Sequence, residues 1–386
     1  RHSFPTRRSS DLSMSHFTCL VIGPDYEAQL APYHEYECTG RDDQYVKDVD
    51  RTDEARAEYE STTKTMARNE ATGEVIDSND DRFYRPFTAE ERARIQPCGS
   101  GGGGGLSWYS KDWGDGKGYE ARVHELPAGW VKQSVPLSSV ETFAEFVEGW
   151  YGSPILRTGE ERTDEHKYGW VEVDDKGEVI RVIKRTNDQA RWDWYTVGGR
   201  WTGFFPLKNG KKGATGKPGL MTKPADAGTA DQVRKGSVDF ERARREAAGA
   251  AHLEFDVWEE CFTKHGRPEA WSSFASKVKA EELKIEEART LYHAQPTIAA
   301  WQEHGRYECP VDGLGFDRAA YVQRERNGAC VPHAIVKDGK WVERGSMGWF
   351  GIVSNAKDND EWDAEVQRLY DDLPDDTLLT LVDCHI

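Results

Sequence analysis

The chain has 386 residues and a formal net charge of −17, from 51 basic and 68 acidic side chains. This charge repels phosphate backbones, which argues against a general nucleic-acid binder but leaves room for a local basic site. With 14 Trp, 15 Tyr and 14 Phe residues, the composition excludes a wholly disordered chain. The length fits one large domain or two ordinary ones.

The seven cysteines are scattered and odd in number, and no two form a CxxC pair. This pattern fits neither a disulfide framework nor a zinc site, and it favours a reducing cytoplasm. No apolar run approaches the roughly 20 residues of a membrane helix. We therefore expect a cytoplasmic protein with no membrane segment, and the sequence indicates neither a metal nor another cofactor.

Residues 1–13 need separate treatment, because RHSFPTRRSSDL looks like translated sequencing adapter. The segment lacks the apolar stretch of a signal peptide. We predict that residues 1–13 are a non-native extension. We expect residues 14–386 to form a single α+β domain.

The first native segment, 16–23, is a short apolar run closed by Gly-Pro, which predicts a buried strand. Weak helical character follows at 53–59. A capping-box pattern predicts a short helix that opens at 88–91. The glycine run 99–105 is typical of a flexible loop, and it lacks the Walker phosphate-loop pattern.

The middle of the chain alternates between helical and strand patterns. Ser138 to Glu141 has a second capping-box pattern, so the sequence predicts an amphipathic helix over 139–151. Alternation on both sides of 174–177 predicts a β-hairpin over 168–185. The pattern over 239–264 is helical.

The last third changes period several times. It is predicted to contain a helical stretch at 280–304 interrupted at Pro296, a hairpin of 330–336 with 340–342, a strand at 348–353, a helix at 361–370 and a closing strand at 377–382.

The predicted elements begin with a strand. They finish with a strand, a helix and a closing strand. This order favours a ferredoxin-like antiparallel sheet in which the first and last strands are neighbours. Residues 24–150 and 202–325 are then large insertions, the first partly flexible and the second helical.

The most distinctive string is RWDWYTVGGRWTG at 191–203. Arginine stacks on tryptophan and offers a forked donor to a carboxylate or phosphate. We predict an aromatic-walled site in which Arg200 binds an anion. The candidate ligand-binding residues are Trp192, Asp193, Trp194, Tyr195, Arg200 and Trp201. The alternative is a structural corner with an Asp193–arginine pair.

The two chain ends give a second set of candidates. His16 and Thr18 lie on one face of the first strand, because strand side chains alternate. If the last strand pairs antiparallel with the first, His385 approaches His16, with Asp383 on the same face. This suggests a phosphoesterase in which His16, Thr18 and His385 are catalytic. The pattern is half complete, because no hydroxyl partner follows His385; the alternative is two structural histidines at a sheet edge.

Several strings together resemble a group of uncharacterised bacteriophage proteins. These proteins typically start with a Ser-His-Phe-Thr strand, as at Ser15–Thr18, and carry a WDWY-GGRW block, as at 192–201. They end in VDCHI, as at 382–386, and 347–351 and 373–377 add to the likeness. A weaker similarity links the chain to ferredoxin-like phage and plasmid proteins. The resemblance implies a phage-encoded accessory protein in the host bacterial cytoplasm, with no established activity to carry over.

Three classes of function remain open from the sequence. The first is a binding protein whose Trp/Arg site takes a small anionic ligand such as a nucleotide. The second is the phosphoesterase of His16, Thr18 and His385. The third is an acidic inhibitor that sequesters a basic host protein. No oligomeric state follows from the sequence.

Overall fold

The computed structural model describes residues 16–86, 88, 122–151, 153–220, 222–347 and 353–386. These residues form two compact units. The first unit contains residues 16–46 and those from 187 onward, and the second contains those within 47–186. None of the helices in these ranges is long and apolar enough to cross a membrane.

The structure is mixed α+β, as the sequence predicts. Its strands, in chain order, are β1 His16–Ile22, β2 Lys47–Asp50, β3 Thr63–Asn69, β4 Val75–Asp77, β5 Tyr84–Pro86, β6 Arg122–His124, β7 Trp130–Pro136, β8 Ile155–Arg157, β9 Gly169–Val173, β10 Val179–Thr186, β11 Trp194–Gly199, β12 Phe205–Pro206, β13 Lys217–Pro218, β14 Thr229–Ala230, β15 Gln232–Arg234, β16 Ala334–Lys337, β17 Lys340–Glu343, β18 Ser346–Met347, β19 Val353–Ser354 and β20 Leu378–His385.

Most helices of the described residues lie in the second half of the chain. In order they are α1 Tyr26–Leu30, α2 Tyr36–Thr39, α3 Thr52–Ser61, α4 Phe143–Tyr151, α5 Phe240–His265, α6 Trp271–Lys279, α7 Ile285–His293, α8 Pro296–Glu303, α9 Pro310–Gly313, α10 Arg318–Asn327 and α11 Asn359–Asp372.

The main sheet of the first unit has the strand order β13-β11-β20-β1-β16-β17, and β15 pairs with β20 beside β11. The predicted antiparallel pairing of the first and last strands is confirmed, with His16 opposite His385 and Ile22 opposite Leu379. On its other side, β1 runs parallel to β16, the first strand of the predicted hairpin. The N-terminal strand is therefore internal to the sheet.

Alternation along β1 divides the core of this unit between the two sheet faces. Leu20 and Ile22 lie in the cluster that contains Trp362 and Val366 of α11. Phe17, Cys19 and Val21 lie in a different cluster on the other face. His16 and Thr18 continue the row of Leu20 and Ile22, so they stand at one end of the α11 face.

The helices between 240 and 327 form two further apolar clusters. Asp239 caps α5 by accepting a hydrogen bond from the backbone N of Arg242. Trp258 of α5 packs against Trp301 of α8, and Pro296 opens α8 at its first turn. The predicted insertion at 202–325 is helical only from α5 onward, because the short strands β12 to β15 precede that helix.

The second unit contains a sheet of the order β2-β10-β9-β8. The predicted hairpin at 168–185 is present as β9 and β10. The predicted helix at 139–151 begins later, at Phe143, because Thr142 and Glu145 form the cap: Thr142 N and Oγ1 donate to Glu145 Oε2, each at 2.7 Å. Ser138 belongs to a preceding 3-10 turn.

Three predicted features lie wholly or mostly outside the described residues. They are the helix that opens at 88–91, the glycine run 99–105 and most of the strand 348–353. The extension 1–13 lies outside them as well. The two compact units divide the chain at residues 47 and 186.

Candidate functional site

The candidate site lies at one end of the main sheet, where three neighbouring strands begin or finish. His16 on β1 is opposite His385 on β20, and His385 is opposite Trp194 on β11. Asp383 shares the face of His385, because it lies two residues before it. The order of the strands therefore brings together residues from the beginning, middle and end of the sequence.

His16 is held by a buried carboxylate. Its Nδ1 lies 2.8 Å from Asp383 Oδ1, and the two residues are only 7% and 1% exposed. An ionised carboxylate can only accept, so Nδ1 carries the proton and Nε2 of the neutral ring keeps its lone pair. The second oxygen, Oδ2, accepts from the backbone N of Arg200 at 2.9 Å.

The surroundings of His16 favour its neutral form. Burial is the largest cause that lowers the pKa of His16, and the hydrogen bond and charge of Asp383 oppose it. The charges of Arg200 and His385 lower this pKa further. Burial disfavours the charged form of an imidazole, so His16 is neutral near pH 7 and can accept a proton at Nε2.

His385 has its own carboxylate partner. Its Nδ1 lies 2.9 Å from both oxygens of Asp193, and Asp193 N donates to the His385 carbonyl at 2.9 Å. The His385 ring is partly exposed and stacks on Trp194, with ring centroids 5.2 Å apart and an interplanar angle of 14°. It meets the His16 ring edge-on at 4.7 Å.

The two histidines thus form a matched pair. Each donates from Nδ1 to an aspartate, and within the described residues no hydrogen bond involves the Nε2 of either ring. Trp194, 45% exposed, covers one side of the pair. Two such rings side by side can remove a proton from one atom and deliver a proton to another.

The glycine pair of the WDWY-GGRW block brings the backbone against two buried carboxylates. Gly198 and Gly199 have φ values of 77° and 55°, a region that favours glycine. A methyl group at Gly199 would lie 2.3 Å from Asp383 Oδ2, and one at Gly198 would lie 2.5 Å from Asp231 Oδ2. Glycine at both positions is therefore required by close approach as well as by conformation.

Asp231 is the second of these carboxylates, and it organises the loop behind the site. It is fully buried and accepts from Thr202 Oγ1 at 2.9 Å, from the backbone N of Gly203 at 2.6 Å and of Phe204 at 3.2 Å, and from Gly216 N at 2.8 Å. These bonds tie the turn after β11 to the segment before β13. Sequence reasoning missed this residue; the adjacent glycines were its one visible signal.

The remaining residues of the Trp/Arg block are divided between the site and the core. Asp193, Trp194 and the backbone of Arg200 lie at the histidine pair. Trp192 is buried and donates from Nε1 to the Leu30 carbonyl at 3.1 Å. Tyr195 packs in the same cluster on the opposite face, and burial raises its pKa to about 12.

Trp201 is partly buried and packs against the cluster that contains Trp362 and Val366. The alternative pairing of Asp193 with an arginine is replaced by its contact with His385.

Thr18, the third catalytic candidate, accepts a hydrogen bond at Oγ1 from the backbone N of His333 at 2.9 Å. Its hydroxyl therefore positions the start of β16, close to the site but already engaged.

One group of residues has the spacing of a metal site. Ligand atoms of Glu35, Cys38 and Asp193 lie within 4.8 Å of one another. Burial raises the pKa of the Cys38 thiol to about 11, and the charges of Glu35 and Asp193 add to the effect. A thiol that keeps its proton is a poor ligand, and Asp193 is already bound to His385. We assign no metal-dependent step to these residues.

Comparisons with known proteins do not identify this arrangement. No protein-family model matches the chain, and no curated protein or solved structure does so either. A function is therefore proposed from the geometry of the site.

Proposed function

We propose that the first unit carries an acid–base site for phosphate esters, with His16 and His385 as its catalytic residues. One observation carries the proposal: two imidazole rings lie 4.7 Å apart on neighbouring strands, and each is bound through Nδ1 to a carboxylate. In this arrangement Nδ1 of each ring is engaged with a carboxylate, so Nε2 is the atom left for proton transfer.

The roles follow from the surroundings of each ring. Neutral His16 accepts a proton at Nε2 from the attacking water molecule while the new phosphorus–oxygen bond forms. His385, whose Nδ1 is bound to Asp193, donates a proton from Nε2 to the leaving oxygen as the old phosphorus–oxygen bond breaks. Asp383 and Asp193 orient the rings and stabilise their charged forms. Arg200, whose charge already acts on His16, stabilises the negative charge on the phosphate.

The test is hydrolysis of bis(p-nitrophenyl) phosphate and of 2′,3′-cyclic nucleotides by the full chain. His16→Gln and His385→Gln are each expected to lower kcat by about 10²–10⁴-fold. His304→Gln is the matched control, because His304 is an exposed histidine of the same unit. Turnover that survives both substitutions, or a wild-type chain inactive on every ester, would refute the proposal.

A binding protein without turnover is a second candidate, and the exposed Trp194 favours it. An exposed indole beside Arg200 suits a flat anionic ligand such as a nucleotide. Ligands that bind the native state raise the melting temperature, so a thermal-shift screen over nucleotides tests this function. A shift that Trp194→Ala removes, in a chain that hydrolyses no ester, would favour binding alone.

We also propose that the protein is a phage-encoded accessory factor that acts in the cytoplasm of an infected bacterium. The support is the combined pattern of the Ser-His-Phe-Thr strand, the WDWY-GGRW block and the VDCHI ending. An acidic inhibitor of a host protein remains the third class. Capture of one host protein that His16→Gln and His385→Gln leave unchanged would separate it from the first two.

A ferredoxin-like description of the main sheet belongs to the same set of proposals. Its support is the antiparallel pair β1–β20 and the succession β1, α10, β16, β17, α11 and β20, between which the other elements are inserted. One difference is that the first strand of the hairpin, β16, lies beside β1, where a ferredoxin-like sheet places the second.

A further inference from the structure

We propose that the ester at this site belongs to a single-stranded nucleic acid, which lies in a groove along the outer edge of β11. This inference rests on the proposed function and adds the class of substrate. It departs from the expectation that composition gives, because a net charge averages over the whole chain and hides a local basic site.

The groove is a separate feature from the histidine pair. It has a volume of about 370 Å³ and is lined by Tyr26, Tyr195, Thr196, Val197, Thr215, Gly216 and Lys217. In the described part of the chain, β13 pairs with β11 only at Gly198 and Gly199. The outer edge of β11 before these glycines therefore faces the groove without a neighbouring strand.

A short segment connects the groove to the site. Lys217 lines the groove, and two residues later Gly219 N donates to the Gly199 carbonyl at 2.8 Å. A methyl group at Gly219 would lie 3.3 Å from Arg200 Cγ, so this segment packs directly on the Arg200 side chain. Arg200 N in turn binds Asp383, the partner of His16. Tyr195 and Val197 line the groove from the face of β11 opposite the histidines, so the proposed strand passes from one face to the other at Arg200.

The charge of the surrounding sequence suits such an anion. From residue 194 to residue 225 the chain has no acidic residue, although it has 68 elsewhere. The same stretch contains the basic residues Arg200, Lys208, Lys211, Lys212, Lys217 and Lys223. Over the residues that the structure describes, the last four of these lysines form no ion pair. Cations that are not neutralised by neighbours attract phosphate.

The aromatic lining favours nucleic acid over an extended peptide. Single-stranded nucleic acids bind in basic grooves whose aromatic rings stack on successive bases. Tyr26 and Tyr195 meet edge-on with centroids 6.3 Å apart, and Trp194 is exposed where β11 reaches the histidines. Glu27 accepts from the Tyr26 hydroxyl at 3.3 Å, and its charge raises the pKa of Tyr195 while the charge of Arg41 lowers it.

The first experiment measures binding of a fluorescein-labelled single-stranded RNA of about eight nucleotides by anisotropy, with His16→Gln as background to prevent cleavage. The affinity should fall steeply with salt, with a slope of about −0.7 for each phosphate contact. Lys217→Glu should lower the affinity and reduce that slope by about one contact. Lys279→Glu makes the same charge change at an exposed lysine of α6 and should lower the affinity less. Equal effects of the two variants, or binding that salt does not weaken, would overturn the inference.

The second experiment addresses stacking. Tyr26→Ala should weaken binding of the same RNA by about 5- to 150-fold. Tyr307→Ala removes a tyrosine that is 77% exposed elsewhere in the unit and should leave binding unchanged. Melting temperatures of both variants confirm that they fold. Unchanged binding by folded Tyr26→Ala would count against the groove.

The two proposals fail in different ways. RNA binding that depends on Lys217 and Tyr26, in a chain that cleaves no ester, would retain the groove and refute the acid–base function. Cleavage of 2′,3′-cyclic nucleotides by a chain that does not bind RNA would refute the groove alone.

Discussion

Asp231 and Asp383 are two buried aspartates on either side of the glycine pair, and they differ in their partners. Asp231 accepts from backbone N–H groups and the Thr202 hydroxyl, none of which changes its protonation state near neutral pH. Asp383 accepts from one backbone N–H and from His16, which does. Equal burial therefore serves a structural role in one case and positions an acid–base group in the other.

The largest effect is expected at Asp231. Asp231→Asn replaces an oxygen that accepts hydrogen bonds by an amide nitrogen that donates them, so at least one backbone N–H group loses its acceptor. The expected loss of stability is more than about 3 kcal/mol, measured as a lower midpoint of urea denaturation. Asp226→Asn, an exposed neighbour in sequence, should stay within about 0.5 kcal/mol of the parent. A small effect at Asp231 would remove the structural half of the comparison.

The glycine pair is expected to be the next most sensitive position. Gly199→Ala places a methyl group 2.3 Å from Asp383, whereas Gly210, with a φ of 73°, has open space around it. Both alanines carry the cost of a left-handed backbone, so their difference isolates the contact with the carboxylate. We expect Gly199→Ala to cost about 1–3 kcal/mol more than Gly210→Ala by urea denaturation. Equal costs would show that the loop simply moves away.

The main expected effect of Asp383→Asn is on the pKa of His16. The pKa of His16 is lowered by burial, and Asp383 opposes that effect. Asp383→Asn should therefore lower the pKa of His16 further, which NMR titration of the ring protons measures, with His304 as the unaffected control. A His16 pKa that rises in this variant would contradict the assigned roles.

The same shift predicts how stability depends on pH. The unfolded chain binds a proton at His16 more readily than the folded chain does, so stability is greatest above the unfolded pKa near 6.5 and falls as the pH is lowered through it. Part of this loss should disappear in His16→Gln. Denaturation midpoints at several pH values between about 5 and 8 provide the measurement. An unchanged pH profile in the variant would count against burial of a neutral His16.

The smallest effect concerns Asp193, the most exposed of the three aspartates. Cys38 is exposed, yet the pKa of its thiol is raised to about 11 by burial and by Glu35 and Asp193. Its alkylation by iodoacetamide at pH 8 should be about 100-fold slower than that of an ordinary exposed thiol. Asp193→Asn should increase this rate by a few-fold, and Asp188→Asn, another exposed aspartate, should not. Fast alkylation of the parent protein would show that Glu35 and Asp193 do not raise the pKa of the Cys38 thiol.

Much of the histidine pair could be predicted from the sequence. Strand order and alternation place His385 beside His16 and Asp383 on the same face, and both follow from local patterns. The partner of His385 could not be predicted, because Asp193 reaches it through the register of β11 against β20. No local pattern sets that register.

The aromatic block shows the same limit. Residue type alone predicts the same degree of burial for the three tryptophans of this block. In the structure Trp192 is buried and Trp201 packs against the core, whereas Trp194 is exposed. Alternation does not separate them, because β11 begins at Trp194 and Trp192 lies in a bridge to His34 before it. The acid-free stretch from 194 to 225 was a visible signal that the overall charge concealed.

The position of β1 inside the main sheet also has a consequence for folding. His16 and Asp383 are 367 positions apart, so their contact closes a very long loop, whereas the pairs within the second unit are more local. Contacts between distant positions form slowly, because loop entropy is lost before they stabilise the chain. During refolding, recovery of the histidine pair should therefore lag behind recovery of secondary structure. The site would then mark chains that have completed folding.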